Sequence, residues 1–154
     1  MWFTLLLVTL CSLTTIHGYS SGAGQAVCQT NEMRPRHSGL NFNQNDPSVT
    51  INAVKNGNIL DIEVQCRVAG GFKGYLIAVE KDGRQVGEFL ISGHKAMGCA
   101  TKNSGITHSN PTSRRSVKAK WQIPANLQGS DVEVRATVVY EYSRAGHQRR
   151  RVKL

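Results

Sequence analysis

Residues 28–39, "CQTNEMRPRHSG", crowd a cysteine, a methionine, a histidine and two arginines into one short stretch. Such side chains suit a metal or redox site, a cationic binding segment, or a clasp at the edge of a domain. A zinc site takes three or four ligands and usually announces itself by a close pair at fixed offset. His37, His94, His108 and His147 are available, and Cys28 lies ahead of His37. No His-x-His, His-x3-His or Cys-x2-Cys pair occurs. The spacing therefore predicts histidines hydrogen-bonded within loops, with no metal and no other cofactor.

Catalytic signatures are also missing. The chain has no H-E-x-x-H, no C-x-x-C and no phosphate-cradling G-x-x-x-x-G-K-[ST]. Its few carboxylates show no pairing that would mark an acid and a base. The expectation is a protein that is not an enzyme.

Charge is the stronger signal. The chain carries +9, and the excess is uneven. Residues 1–109 hold nine Lys and Arg against seven Asp and Glu, whereas residues 110–154 hold ten against three. Such asymmetry speaks of partners rather than of fold. Arg114, Lys118, Lys120, Arg149, Arg150 and Arg151 are the candidate polyanion-binding residues. Lys118 and Lys120 would share one strand face about 7 Å apart. Glu133 and Glu141, on the strand expected beside them, would neutralise part of that face.

Alternation of period two supplies the elements that must hold these groups. Residues 47–55 predict a strand, closed by the turn signal Asn56-Gly57. In "ILDIEVQCRV", Leu60, Ile62, Val64 and Cys66 fall on one face and Asp61, Glu63, Gln65 and Arg67 on the other. Cys66 thus joins the buried set as a free thiol. "FKGYLIAVE" at 72–80 predicts another strand, Asp82-Gly83 a hairpin turn, and "QVGEFLIS" at 85–92 its return. Val117, Ala119, Trp121 and Ile123 make one inward stripe; Val132, Val134, Ala136, Val138 and Tyr140 make the cleanest. Six or seven short strands between Gly, Asn and Pro turns predict an all-β antiparallel sandwich, with a closed barrel as the other arrangement.

The ends read differently. Residues 1–18, "MWFTLLLVTLCSLTTIHG", are uncharged and mostly apolar and end in a small residue, as a signal peptide does. The apolar run is shorter than a spanning helix needs, and no transmembrane segment follows. Residues 19–143 then form one domain, and residues 144–154, "RAGHQRRRVKL", a mobile basic tail. Removing the leader removes Cys11 and leaves Cys28, Cys66 and Cys99. That odd number implies one disulfide and a spare thiol, or an intermolecular bridge.

Several of these pieces occur together in one known family. "GYSSGAGQAVC" resembles the opening run of the reeler domain, the amino-terminal module of reelin and spondin-type extracellular proteins. "MRPRHSG" is similar to its Met-x-Pro-x-His element at Met33, Pro35 and His37. "FKGYLIAVE", "VGEF", Cys99, "THSN" at 107–110, "KWQIP" at 120–124 and "VEVRATVVY" at 132–140 follow in the family's order. The likeness covers about residues 18–142. It implies an immunoglobulin-like β-sandwich, a disulfide joining Cys28 to Cys99, and a clasp made by the opening segment. The Cys28–Met33 spacing is longer than the family's, so a bulge is expected there.

Short secreted chains of one such domain resemble the insect-type defense proteins. That implies a secreted, non-enzymatic protein of innate immunity that binds microbial surface polyanions such as lipopolysaccharide, with antimicrobial or nodulation-promoting activity. The alternative is an extracellular-matrix or adhesion module that binds glycosaminoglycan or a protein partner. Nucleic acid suits the charge but not a secretory leader.

Overall fold

A computed structural model of the chain describes residues 20–29 and 32–154. The expected leader lies outside the described residues, as does the middle of the expected bulge at 30 and 31. Among the described residues the chain forms eleven strands. They are β1 (Asn41–Asn43), β2 (Val49–Asn56), β3 (Ile59–Cys66), β4 (Gly74–Lys81), β5 (Arg84–Gln85) and β6 (Glu88–Leu90). β7 (Lys95–Met97), β8 (Gly105–Thr107), β9 (Ser116–Gln122), β10 (Asp131–Glu141) and β11 (Arg144–Lys153) follow.

Two sheets pack face to face. The larger runs β1-β11-β10-β4-β8-β7, with β5 also paired to β4, and the smaller runs β2-β3-β9-β6. Every pairing is antiparallel except β1 with β11. The fold is an all-β sandwich.

The alternating stripes build the core between the sheets. Leu60, Ile62 and Val64 of β3 and Val117, Ala119 and Trp121 of β9 meet Tyr75, Ile77 and Val79 of β4 and Val132, Val134, Ala136 and Val138 of β10. Each large apolar side chain taken from water contributes about 1.5–3 kcal/mol. Trp121 is fully buried and donates its indole N–H to the Val86 carbonyl at 3.1 Å. Cys66 is a buried free thiol in the same core.

β4 departs from alternation, being buried from Gly74 to Glu80 without a break. Its inner face meets the other sheet. Its outer face is covered by residues 20–29 and 32–37, where Val27 and Met33 pack with Leu76, Ala78 and Met97 in a second small core. That segment is the clasp. It begins with a 3-10 turn over Gln25–Gln29.

Two sequence expectations are corrected. Residues 85–92 do not return as one strand. β5 stops after two residues and the chain crosses to the smaller sheet, where β6 pairs β9. Gly87 makes the crossing, with φ of 64° and the Trp121 ring so close that a Cβ would collide with Cζ2. Nor is 144–154 a mobile tail. It forms β11, registered against β10 along nearly its whole length, and Leu154 is buried. Opposite charges face each other across that pair, Asp131 with Lys153 and Glu133 with Arg151, and support the register.

Candidate functional site

The outer face of the larger sheet carries polar groups where an antiparallel sheet often meets water. Here the clasp reaches them at Thr137. Arg135 of β10 sends Nη1 to both carboxylate oxygens of Glu80 on β4, at 2.9 Å each. Its Nε lies 3.4 Å from His147 Nε2. His147 Nδ1 lies 2.9 Å from the Thr137 hydroxyl, and that hydroxyl donates to the Met33 carbonyl at 2.9 Å.

The proton positions follow from the partners. A carbonyl only accepts, so Thr137 spends its hydrogen on Met33 and must accept from His147 Nδ1–H. Nε2 is then the bare nitrogen that receives Arg135 Nε–H. The chain of bonds requires a neutral imidazole. Burial, helped by the charges of Arg135 and Arg149, lowers the His147 pKa to about 4.

Clasp and sheet are joined at further points. The Ala23 N–H donates to Thr107 Oγ1 at 2.9 Å, and Thr107 donates to the Tyr75 carbonyl at 2.6 Å. The His37 ring stacks on Tyr142 with centroids 4.7 Å apart and contacts the Tyr142 carbonyl through Nδ1 at 3.0 Å. Gly74 exists because His108 lies against it, where a Cβ would sit 2.9 Å from Cε1. Cys99 is disulfide-bonded. The side chain of Cys28, its expected partner, lies outside what is described.

Between clasp and sheet lies a cavity of about 120 Å³, walled by Val27, Met33, Pro35, Leu76 and Val139 among others. Lys73 and Arg36, both exposed, also line it.

The candidate cations divide into two places, one around Lys118, Lys120 and Arg114, where Arg114 and Lys118 line one surface pocket, and one on β11. Lys118 and Lys120 share the outer face of the smaller sheet, opposite Glu63 and Asp61 of β3. Lys120 reaches Asp61 at 3.1 Å. The carboxylates beside these lysines are therefore those of β3; Glu133 and Glu141 belong to the other sheet, which corrects the expected neutralising pair. Arg114 leans over the Tyr75 ring, 5.2 Å from its centroid, and donates to Asn110 Oδ1 at 3.0 Å. Nearby, His94 Nε2–H donates to the Lys118 carbonyl at 3.0 Å, so Nδ1 accepts from the Tyr75 hydroxyl at 2.7 Å. Burial lowers the His94 pKa, and Arg114 adds to that against the Lys118 carbonyl.

Arg149 and Arg151 project from the outer face of the larger sheet, with Arg150 on the opposite side of β11. All three are exposed. β1 pairs β11 only as far as Gly146, so among the described residues the rest of β11 is an edge strand. Arg149 lies 3.9 Å from Glu133, whereas neither Arg150 nor Arg151 makes an ion pair among the described residues. The six cations therefore do not form one patch.

Sequence reasoning missed Glu80, Arg135, Thr137 and His147 as a connected group. The available signal was the polar set opposite the β10 stripe, which reads equally well as a wetted face. Among the described residues no three or more His, Cys, Asp or Glu are grouped to hold a metal. The string "GYSSG" at 18–22 carries the letters of a nucleophile elbow, but that elbow turns into an α-helix, and the described residues after Ser20 lead into a 3-10 turn over Gln25–Gln29.

Comparison with known proteins agrees with this architecture. The Reeler domain family model matches residues 26–144. Defense protein l(2)34Fc of Drosophila melanogaster is 29% identical over 145 residues, covering 89% of this chain and 88% of that protein. A Hyphantria cunea protein named as defense protein Hdd11 is 26% identical over 150 residues, covering 90% and 88%. The crystal structure of the human F-spondin reeler domain superposes with a TM-score of 0.59 at 15% identity, covering 75% of this chain and 94% of that one.

Proposed function

This chain belongs to the Reeler domain family, and from that membership we propose a secreted, non-enzymatic defense protein that binds polyanions on microbial surfaces, lipopolysaccharide being the representative ligand. The names of its insect relatives support the defense role. The observation that carries the binding role is the rim of β11, where Arg149, Arg150, Arg151 and Lys153 stand exposed on an edge strand.

An extended strand sends successive arginines to alternate sides. The rim can therefore meet phosphates or sulfates from both faces of the sheet. Lys118 and Lys120 contribute less, because Asp61 holds Lys120 at 3.1 Å, whereas neither Arg150 nor Arg151 makes an ion pair among the described residues. Charged edges also discourage strand addition by another chain. Reversal to Glu separates the two roles, since it keeps the edge charged.

The test is a salt titration of lipopolysaccharide binding by the mature protein. Attraction of about 1 kcal/mol per basic residue near an anionic surface predicts at least a tenfold loss on combining Arg150→Glu with Arg151→Glu. Lys118→Glu with Lys120→Glu should change affinity by less. Absent or salt-independent binding would overturn the reading.

A further inference from the structure

The cavity under the clasp is not used by the polyanion reading. Its walls are mostly aliphatic, and the polar groups that reach it are already committed. Thr137 bonds Met33 and His147, and His108 Nδ1 accepts from the Tyr75 N–H at 3.2 Å. Among the described residues no buried side-chain nitrogen or oxygen lacks a partner. Water held in a cavity needs two to four polar partners, and an apolar cavity of about 150 Å³ stays dry and takes benzene. At about 120 Å³ this space has room for a fragment of similar size. It is too small for a whole drug-sized ligand, for which pockets start at about 300 Å³.

Two cations complete the picture. Lys73 and Arg36 come from different segments, yet both line this cavity and both reach solvent. No Asp or Glu belongs to its described lining. An apolar interior with unopposed positive charge where it opens suits a molecule whose hydrocarbon end enters while an anionic head stays in water. We propose that the cavity between the clasp and β4 and β10 binds the terminal part of a hydrocarbon chain borne by an anionic amphiphile, such as a fatty acid or an acylated phosphate.

The complementarity sets a length rule. Burying one more methylene improves affinity about fourfold until the cavity is full, and additional carbons then add little. The carboxylate contributes through Lys73 and Arg36 and is weakened by salt.

The experiment titrates the mature protein with straight-chain alkanoates from hexanoate to dodecanoate, kept below micelle formation, and reads binding by calorimetry. Affinity should climb with chain length and then level off. Val139→Phe, which fills the cavity from β10, should abolish the climb, and Lys73→Ala with Arg36→Ala should weaken every member of the series. A melting curve establishes that Val139→Phe is folded; if it is not, decanol in place of decanoate supplies the second arm, binding more weakly and without salt dependence. Binding with no dependence on chain length, or unchanged in folded Val139→Phe, would overturn the proposal. The polyanion reading fails separately: Arg150→Glu with Arg151→Glu leaves the alkanoate series intact, and Val139→Phe leaves salt-sensitive binding of de-acylated lipopolysaccharide intact.

Discussion

The Thr137 hydroxyl donates to the Met33 carbonyl at 2.9 Å, joining the central strand of the larger sheet to a segment 104 residues earlier. Met33 reaches that position with φ of 52°, a backbone region that non-glycine residues rarely occupy. Its carbonyl meets β10 while its side chain enters the small core beneath the clasp. One residue thus supplies both an apolar and a polar attachment.

Replacing Thr137 with Val keeps the branched shape and removes the hydroxyl. The Met33 carbonyl and the His147 Nδ1–H would then be buried without a partner. Urea unfolding should show a loss of about 2 kcal/mol, and Thr137→Ser should recover most of it.

His147 makes stability depend on pH. Its pKa falls from the ordinary value of about 6.5 to about 4 on folding. Between those values the unfolded chain takes up a proton that the native chain refuses, so stability falls as pH falls. The full effect is roughly 3 kcal/mol, complete near pH 4. Stability measured from pH 7 to pH 4 should slope accordingly, and His147→Gln should flatten that slope whatever it does to stability at pH 7.

Gly87→Ala places a methyl group against the Trp121 ring at a backbone angle suited to glycine. The ring is fully buried and tied through its indole N–H to the Val86 carbonyl. The variant should lose about 3 kcal/mol or more, seen as a lowered melting midpoint with altered indole fluorescence.

Cys66 is 6% exposed, accepts the Val68 N–H at 3.3 Å, and lies among core side chains. Iodoacetamide should leave it unmodified in the native protein and label it only as fast as the domain opens. Intact mass before and after alkylation should show one free thiol and one disulfide. A Cys28–Cys99 bridge would be identified by peptide mapping of the same sample.

The stripes of β3, β9 and β10 were legible because the sandwich core fixes one face of each and leaves the other free to be polar. β4 was legible as a strand, but not as one covered twice. Its outer residues Leu76 and Ala78 look like part of an unbroken apolar run, and what covers them is far away in sequence. β11 was misread for the opposite reason. Arg150 lies on the side shared with Val134, where alternation demands an apolar residue, yet the edge position lets it reach water. The crossing at Gly87 was hidden because "QVGEFLIS" keeps strand-like composition on both sides of it. The cations were found as residues, but their division between faces depends on pairing, which one strand read alone does not contain.

The clasp also imposes an order in time. Residues 20–29 and 32–37 have no surface to settle on until β4 and β10 lie side by side, and those strands are separated by the whole of β5–β9. Pairings between distant stretches of chain close slowly. The clasp therefore settles late, and until then Leu76, Ala78 and Met97 stand open to other chains. During folding this interval is when the protein is most exposed to aggregation, and oxidation at Cys99 is the chemical event that would mark its end.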